Sequence, residues 1–276
     1  MNKCLWPLSI VLLLSYSVKA QYYYKDVVTN NQVFQDLSHY RDNKVRTVKI
    51  NSFEDDGTPS EGFYCEKKIS KDYKRIELYS KSSISAPSEF TSYFNEKGRL
   101  VKTIDSSTLA SSTNLYFYDN KDRLTNVISV VRLSDDDFVN EIIEEHHYVY
   151  NDAGLPTKMT VLKNKKDQTE ILFMTDEKGN LSIEKNTKTG SKYYYYYDSS
   201  NRLTDIVHSD EHTEKMLPDY MFEYNETGKL SQMITTEEGN SNYFIWRYTY
   251  EKGLRSAEKC YSKEKRLMGS LVYEYK

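Results

Sequence analysis

The sequence predicts an all-β protein built from tandem antiparallel β-hairpins that form an extended, twisted or spiralling sheet. Three observations support this fold class. A turn motif of an aromatic residue, Asp or Asn, a short polar stretch and Leu recurs along the chain, and the segments between the turns alternate apolar with polar residues. Tyrosine, which has a high strand propensity and suits half-buried sheet faces, has 26 copies in 276 residues.

The first 20 residues have the pattern of a secretory signal peptide. Lys3 provides a basic start, an apolar run follows from Leu5 to Leu14, and Val18-Lys19-Ala20 offers a small-residue cleavage site. The run is about half of the roughly 20 residues needed to span a bilayer. We therefore expect an exported protein, in the periplasm, on the outer surface or secreted, with no membrane span in the mature chain.

The turn motif has four strong copies and three weaker ones. The strong copies lie at 94–100, 118–124, 197–203 and 224–230, and the weaker ones at 150–155, 175–181 and 250–254. Asp or Asn with Gly supplies a turn that tolerates left-handed backbone, so each copy predicts one hairpin. A single hairpin is marginal in water, and successive units must therefore pair or stack.

The chain divides into three predicted parts: a signal peptide at 1–20, an irregular cap or decayed repeats at 21–90, and the hairpin array at 91–276. Within the second part, apolar residues at helical spacing predict a short helix around residues 31–40. The terminal units of repeat proteins are commonly atypical, which suits a helix at this end.

The motif resembles the YD repeat of Rhs-like and teneurin-like proteins, most clearly at Tyr118-Asp119 with Arg123-Leu124 and at Tyr197-Asp198 with Arg202-Leu203. The resemblance covers roughly residues 90–276. It implies hairpin sheets that spiral, in some members into shells around a toxin domain, and some members are described as carbohydrate-binding or adhesive. This chain is too short to enclose such a cargo and lacks a toxin domain after its last repeat. The resemblance therefore implies neither toxin delivery nor any catalytic residues.

The charge and cysteine content exclude some functions. Acidic residues outnumber basic ones, 41 to 38, and no basic patch of the kind that binds nucleic acid is evident. Cys65 and Cys260 remain after the leader. A disulfide needs Cα atoms within about 7 Å, and two separate buried thiols are at least as good an interpretation.

Two kinds of polar cluster contain residue types that bind metals. The Asp-rich turns at 119–122 and 135–137 have oxygen ligands suited to Ca²⁺, but Asp and Asn are expected in hairpin turns for conformational reasons. His146 and His147 would point to opposite faces of a strand and could not chelate one ion, and we expect the histidines at 208–212 in a surface loop. No metal and no cofactor is predicted.

No catalytic motif is present either, and the protein is predicted not to be an enzyme, although a cryptic hydrolase with a hidden pair of carboxylates stays open. The remaining functional signal is aromatic. Exposed Trp246, Tyr248 and Tyr195 are the candidate ligand-binding residues, because flat aromatic faces stack on sugars and anchor protein interfaces. A covered or structural aromatic ladder is the competing interpretation.

The sequence thus predicts a non-enzymatic binding module at the cell envelope, with a glycan or an envelope protein as its partner. The alternative is a structural or interaction component of an envelope assembly that binds no small ligand.

Overall fold

The computed structural model describes residues 21–107, 110–133, 141–209, 216–237 and 242–276. The predicted signal peptide and the Asp-rich run at 135–137 lie outside these ranges. In the described residues, a π-helical turn and one α-helix precede eighteen strands. They are the turn Tyr24–Val28, α1 (Thr29–Asp42), β1 (Thr47–Phe53), β2 (Tyr64–Ile69), β3 (Arg75–Lys81), β4 (Ser88–Phe94), β5 (Leu100–Ser107), β6 (Ala110–Tyr118), β7 (Leu124–Leu133), β8 (Glu141–Tyr150), β9 (Pro156–Lys163), β10 (Asp167–Thr175), β11 (Leu181–Asn186), β12 (Lys192–Tyr197), β13 (Leu203–Ser209), β14 (Met216–Tyr224), β15 (Leu230–Thr236), β16 (Tyr243–Glu251), β17 (Leu254–Tyr261) and β18 (Leu267–Tyr275).

The strands close into a barrel. Each strand pairs antiparallel with the next along the chain, and β18 returns to pair with β1 from Val48–Tyr275 to Phe53–Ser270. The hairpin prediction is confirmed, but the prediction of an extended or spiralling sheet is wrong. An open array would leave the outer edges of β1 and β18 with unpaired backbone groups, and closure gives each edge a partner.

The turn motifs lie together at one end of the barrel, which we call the motif rim. At 119–122 the Asp119 carboxylate accepts hydrogen bonds from the backbone N–H groups of Lys121 and Arg123 at 2.9 and 3.0 Å. The expectation that these Asp residues serve turn geometry is confirmed at this turn. Next to this turn, a β-bulge shifts the register of β6 and β7 between Phe117 and Tyr118. Such bulges are common at barrel rims, where they re-aim side chains.

The helix predicted around 31–40 is confirmed, and it lies inside the barrel. The turn Tyr24–Val28 packs against a core cluster formed by inward residues of β7 to β14. Leu37 and Tyr40 of α1 belong to a second cluster with residues of β1 to β5, β17 and β18. We call the turn Tyr24–Val28 and α1 together the helical segment. Because its contacts reach strands all around the wall, the helical segment fills part of the lumen.

The inner face of the wall is mostly apolar, and the outer face carries charged residues among exposed apolar ones such as Phe117, Leu172 and Val272. On the paired strands β16 and β17, Trp246 lies opposite Cys260 on the inner face, whereas Arg247 lies opposite Lys259 on the outer face. Charged residues occupy outward positions of many strands, among them Lys49, Glu77, Glu145, Lys185, Arg247, Lys259 and Glu274. Among the described residues, no helix is both long and apolar enough to cross a membrane.

Candidate functional site

The tyrosine of the turn motif joins neighbouring hairpins. At the motif rim, its hydroxyl donates a hydrogen bond to a backbone carbonyl of the preceding hairpin. The donors and acceptors, 2.7–2.9 Å apart, are Tyr118 to Leu100, Tyr150 to Leu124, Tyr224 to Leu203, and Tyr250 to Leu230. Tyr275, at the end of β18 and outside the motif copies, makes the same contact with the Arg255 carbonyl at 2.6 Å. The motif therefore builds the contact between repeats as well as the turn itself.

The basic residue of the motif completes this contact. The guanidinium carbon of Arg123 lies 4.6 Å from the centre of the Tyr150 ring, and that of Arg202 lies 4.7 Å from the Tyr224 ring. Each arginine is held by the aspartate of its own turn, as in the 2.6 Å contact between Arg123 and Asp119. Cation–π contacts of this kind orient the arginine and cover the ring.

A buried carboxylate caps the start of the helical segment. Glu184 on β11 is 1% exposed and accepts hydrogen bonds from the backbone N–H groups of Tyr22 and Tyr23 at 3.0 and 3.1 Å, and from the Tyr195 hydroxyl at 2.9 Å. The first N–H groups of a helix lack partners within the helix and attract an anion. Burial outweighs these donors and raises the pKa of Glu184 to about 7.

An ionic network holds the same segment to β8. Asp26 lies 2.6 Å from Nδ1 of His146, and Nε2 of His146 lies 2.9 Å from Glu144. Burial alone would lower the pKa of His146, but the two carboxylates outweigh it and raise this pKa to about 10. His146 is therefore protonated at neutral pH, with each ring N–H donating to a carboxylate. The Tyr148 hydroxyl also donates to Asp26 at 2.8 Å.

A cavity of about 1780 Å³ lies between the helical segment and the inner faces of β14 to β18. It extends from the motif rim at Lys229 and Gly253 to Lys263 near the opposite end of the barrel. Its middle wall is mostly aromatic, and the residues there include Tyr220, Phe222, Met233, Phe244, Trp246, Tyr248, Leu271 and Tyr273. The cavity is larger than the roughly 300–1000 Å³ of typical small-molecule sites.

One charged pair lies in this aromatic wall. Arg255 donates to Glu258 at 2.6 Å, and the Tyr273 hydroxyl donates to the same carboxylate oxygen at 2.5 Å. The Arg255 guanidinium carbon lies 4.4 Å from the centre of the Tyr248 ring. Burial opposes the charged form of Arg255, but Glu258 outweighs it and raises the pKa of Arg255 well above its usual value. The pair thus offers both donors and acceptors beside apolar surface.

The predicted ligand-binding aromatics lie on the lumen face rather than the outer surface. Tyr195 and Tyr248 are buried, so the expectation that they are exposed is wrong. Tyr195 binds Glu184 and packs edge-on against Tyr23, which gives it a structural role. Trp246 and Tyr248 both border the cavity. The sequence pattern therefore identified two residues of this wall, although it predicted them to be exposed.

The other polar candidates are dispersed. Cys65 on β2 and Cys260 on β17 are free, buried thiols, as one of the two interpretations predicted, and burial raises the pKa of each to about 11. His146 faces the lumen and His147 contacts outward Asn126, which confirms that they point to opposite faces. His208 lies in β13 rather than in a loop, 2.7 Å from Asp219. Within the described ranges, no group of three or more metal-binding side chains is present.

Sequence reasoning missed the buried carboxylates Glu184, Asp26 and Glu258 and the half-buried Arg255. Arg255 and Glu258 are three positions apart and would face opposite sides of a regular strand. A bulge in β17 opposite Thr249 and Tyr250 brings both into the lumen. Their acidic and basic residue types do not distinguish them from the many charged residues on the outer wall.

The chain matches no family model and no curated protein. Among solved structures it is similar to a porin-like protein from Bacteroides uniformis, with 11% identity over 84% of this chain and 98% of that one and a TM-score of 0.37. A porin-like protein from Bacteroides vulgatus matches at 10% identity, with the same coverage of both chains and a TM-score of 0.30. The Photorhabdus luminescens Tc holotoxin pore matches at 12% identity over 78% of this chain and 15% of that one, with a TM-score of 0.31. Likeness at this level transfers no function.

Proposed function

We propose that this chain is a non-enzymatic binding protein that encloses a ligand with apolar or aromatic surface in its lumen. The observation that carries the proposal is the cavity of about 1780 Å³ between the helical segment and β14 to β18, with its aromatic wall. Burying the apolar surface of a ligand in an apolar cavity contributes roughly 25 cal/mol of favourable binding free energy per Å². The Arg255–Glu258 pair supplies polar groups that orient a ligand.

The charged residues of the outer wall, which lie among exposed apolar ones such as Val272, favour a barrel surrounded by water. Membrane barrels carry an outward apolar band about 25 Å tall, and Lys or Arg at its centre costs about 2–4 kcal/mol each. Here Arg247 and Lys259 lie side by side on the outer face, and Lys49 lies opposite Glu274. With the signal-like residues 1–20, this surface supports an exported protein that works in the aqueous part of the envelope or outside the cell.

A glycan is the competing ligand, because Trp246 and Tyr248 could stack on sugar rings. A glycan would have to enter the lumen, since neither side chain lies on the outer wall. Neutral sugars also need many hydrogen-bonding groups, whereas the middle of the cavity is mostly apolar. We therefore favour an apolar ligand and include oligosaccharides in the test.

The sequence has two tryptophans, Trp6 and Trp246, so a full chain carrying Trp6→Phe reports on the cavity wall through Trp246 alone. We expect the neutral apolar probe N-phenyl-1-naphthylamine to quench Trp246 emission saturably, and soluble oligosaccharides to leave it unchanged. Saturable quenching by an oligosaccharide with none by the probe would reverse the assignment. An absence of change with both would contradict binding in the lumen.

Thr235 and Thr236 provide matched variants. Thr235 borders the cavity and lies between Tyr220 and Phe244, whereas the next residue, Thr236, points the other way and lies opposite Tyr243. Thr235→Phe should fill part of the cavity and weaken probe binding at least roughly tenfold, a loss of about 1.4 kcal/mol. Thr236→Phe adds the same ring outside the lumen and should bind the probe like the parent chain.

A further inference from the structure

The motif-rim end of the cavity is richer in cations than its middle. Lys67 on β2 and Lys229 before β15 both border the cavity there. Lys229 Nζ donates to the Gly253 carbonyl at 3.0 Å, and Lys67 Nζ donates to the Tyr40 hydroxyl at 3.3 Å. Both ammonium groups are thus held by neutral oxygen atoms, and they keep donors that an incoming anion could use.

These cations are not offset by an equal number of carboxylates. Glu258 also borders the cavity, but Arg255 neutralises it at 2.6 Å. Tyr40 and, after it, Asp36 of α1 raise the pKa of Lys67 against the effect of burial. Besides the Arg255–Glu258 pair, two ammonium groups and one carboxylate, Asp36, therefore border this end of the cavity.

Apolar surface begins directly below the cations. Tyr250 lies at the motif rim under Lys229, and Trp246 lies four residues deeper on the same inner face of β16, about 13 Å along a strand. Met233 and Cys260 flank Trp246 on the neighbouring strands. A ligand that meets both surfaces needs a charged head and an apolar body of roughly this length.

We infer that the lumen ligand is an anionic amphipath, whose carboxylate or similar anionic head lies at the motif-rim end of the cavity that Lys67 and Lys229 border, and whose alkyl or ring-containing body lies against Met233 and Trp246. This inference rests on the proposed function and adds the chemical class of the ligand. A desolvated ammonium gives a charge-assisted hydrogen bond to such a head, whereas it gains less from a neutral head and repels a cationic one.

The test compares decanoate, decanol and decyltrimethylammonium, which share a chain length and differ in head charge. Binding is measured by Trp246 fluorescence in the full chain carrying Trp6→Phe. We expect decanoate to bind roughly 10- to 100-fold more tightly than decanol, the factor that corresponds to about 1.5–3 kcal/mol for a hydrogen bond to a charged group. Decyltrimethylammonium should bind most weakly.

Two cavity variants and one outer control locate the head. Lys67→Gln and Lys229→Gln should each reduce the preference for decanoate over decanol, with decanol binding unchanged. Lys68→Gln removes the next lysine, whose side chain is 70% exposed on the outer face, and should keep the full preference. Thermal unfolding checks that each variant is folded. If Lys67→Gln does not fold, Lys229→Gln alone locates the head.

The outcomes separate the two proposals. Equal binding of decanoate and decanol, or tightest binding of decyltrimethylammonium, would overturn the anionic class while leaving a lumen site. A preference for decanoate that survives in both folded cavity variants would also overturn the placement of the head. If none of the three changes Trp246 emission, the lumen is not a ligand site, and the proposed function fails with it.

Discussion

At the scale of single residues, the motif tyrosine has two separable contributions. Its ring packs under the arginine of the preceding turn, and its hydroxyl closes the gap between hairpins at the motif rim. The paired registers of β7 with β8 end at Asn126–His147, three residues before Tyr150, so the Tyr150 hydroxyl bridges strands that have already separated. This explains why the repeat uses tyrosine where phenylalanine would supply the same ring.

Tyr150→Phe tests the hydroxyl alone. The variant keeps the ring under Arg123 but removes the 2.7 Å hydrogen bond to the Leu124 carbonyl. We expect the free energy of unfolding to fall by about 1–2 kcal/mol, because a partly buried carbonyl loses its partner. Denaturant unfolding measures this change in the free energy of unfolding. Tyr196→Phe is the control, since that side chain is 46% exposed on the outer face, and its effect should stay within about 0.5 kcal/mol.

At the scale of elements, the helical segment is held in the lumen by buried charge as well as by packing. Glu184 satisfies its first N–H groups, and the Asp26–His146–Glu144 network joins it to β8. Breaking a buried ion pair by removing one partner typically costs about 3–5 kcal/mol. The helical segment is therefore an integral part of the barrel core, and its docking should respond to pH.

His146→Gln gives the pH prediction. The pKa of His146 is raised from 6.5 to about 10 in the folded chain, so its stabilising contribution is fully present below pH 6.5 and is lost as pH rises toward 10. Glu184, whose pKa is raised to about 7, lowers stability as pH rises between 4.5 and 7. Unfolding free energies measured between pH 7 and 9, below the usual pKa of the buried thiols Cys65 and Cys260, therefore isolate the histidine. We expect a decline in the parent chain and a flatter profile in His146→Gln, which starts about 3–5 kcal/mol lower.

His147→Gln is the matched control for this experiment. His147 is the next residue of β8, its side chain is 38% exposed, and it contacts outward Glu145 and Asn126. This variant should keep the decline of the parent chain above pH 7. A His146→Gln profile as steep as that of the parent would show that another group titrates in this range and that the network does not anchor the helix.

At the scale of the whole molecule, the sequence predicted local structure well and closure poorly. The Asp, Asn and Gly residues of the motif specify turns through their own backbone preferences, and the spacing of Leu37 and Tyr40 specifies a helix, so both were predictable. Closure depends on the pairing of β1 with β18, whose partners lie more than 200 residues apart. β1 carries no turn motif, and nothing local indicates its partner.

The same limit explains the incomplete prediction of the site. The alternation at 243–250 shows that Trp246 and Tyr248 share a face, but both faces of this strand carry aromatic residues, so the pattern does not show which face is inside. That choice is made by the closed barrel and by the helical segment within it. The cavity follows from the space between them, and it has no signature in any single stretch of sequence.

Closure can be tested directly with an engineered disulfide. Lys49 and Glu274 are Cα partners on the outer faces of β1 and β18. In an open eighteen-stranded sheet these edge strands would lie roughly 80 Å apart, given about 4.8 Å per strand interval. Lys49→Cys with Glu274→Cys should therefore form a disulfide under mild oxidation in the closed barrel, visible as faster migration on non-reducing gels. The bond should also stabilise the fold by up to about 5 kcal/mol, since it closes a loop of more than 200 residues.

Lys49→Cys with Lys185→Cys, which places the second thiol on the distant strand β11, should form no intramolecular bond. Failure of the first pair to cross-link in a folded, monomeric sample would show that the ends of the array do not meet, and the lumen would then lose its wall.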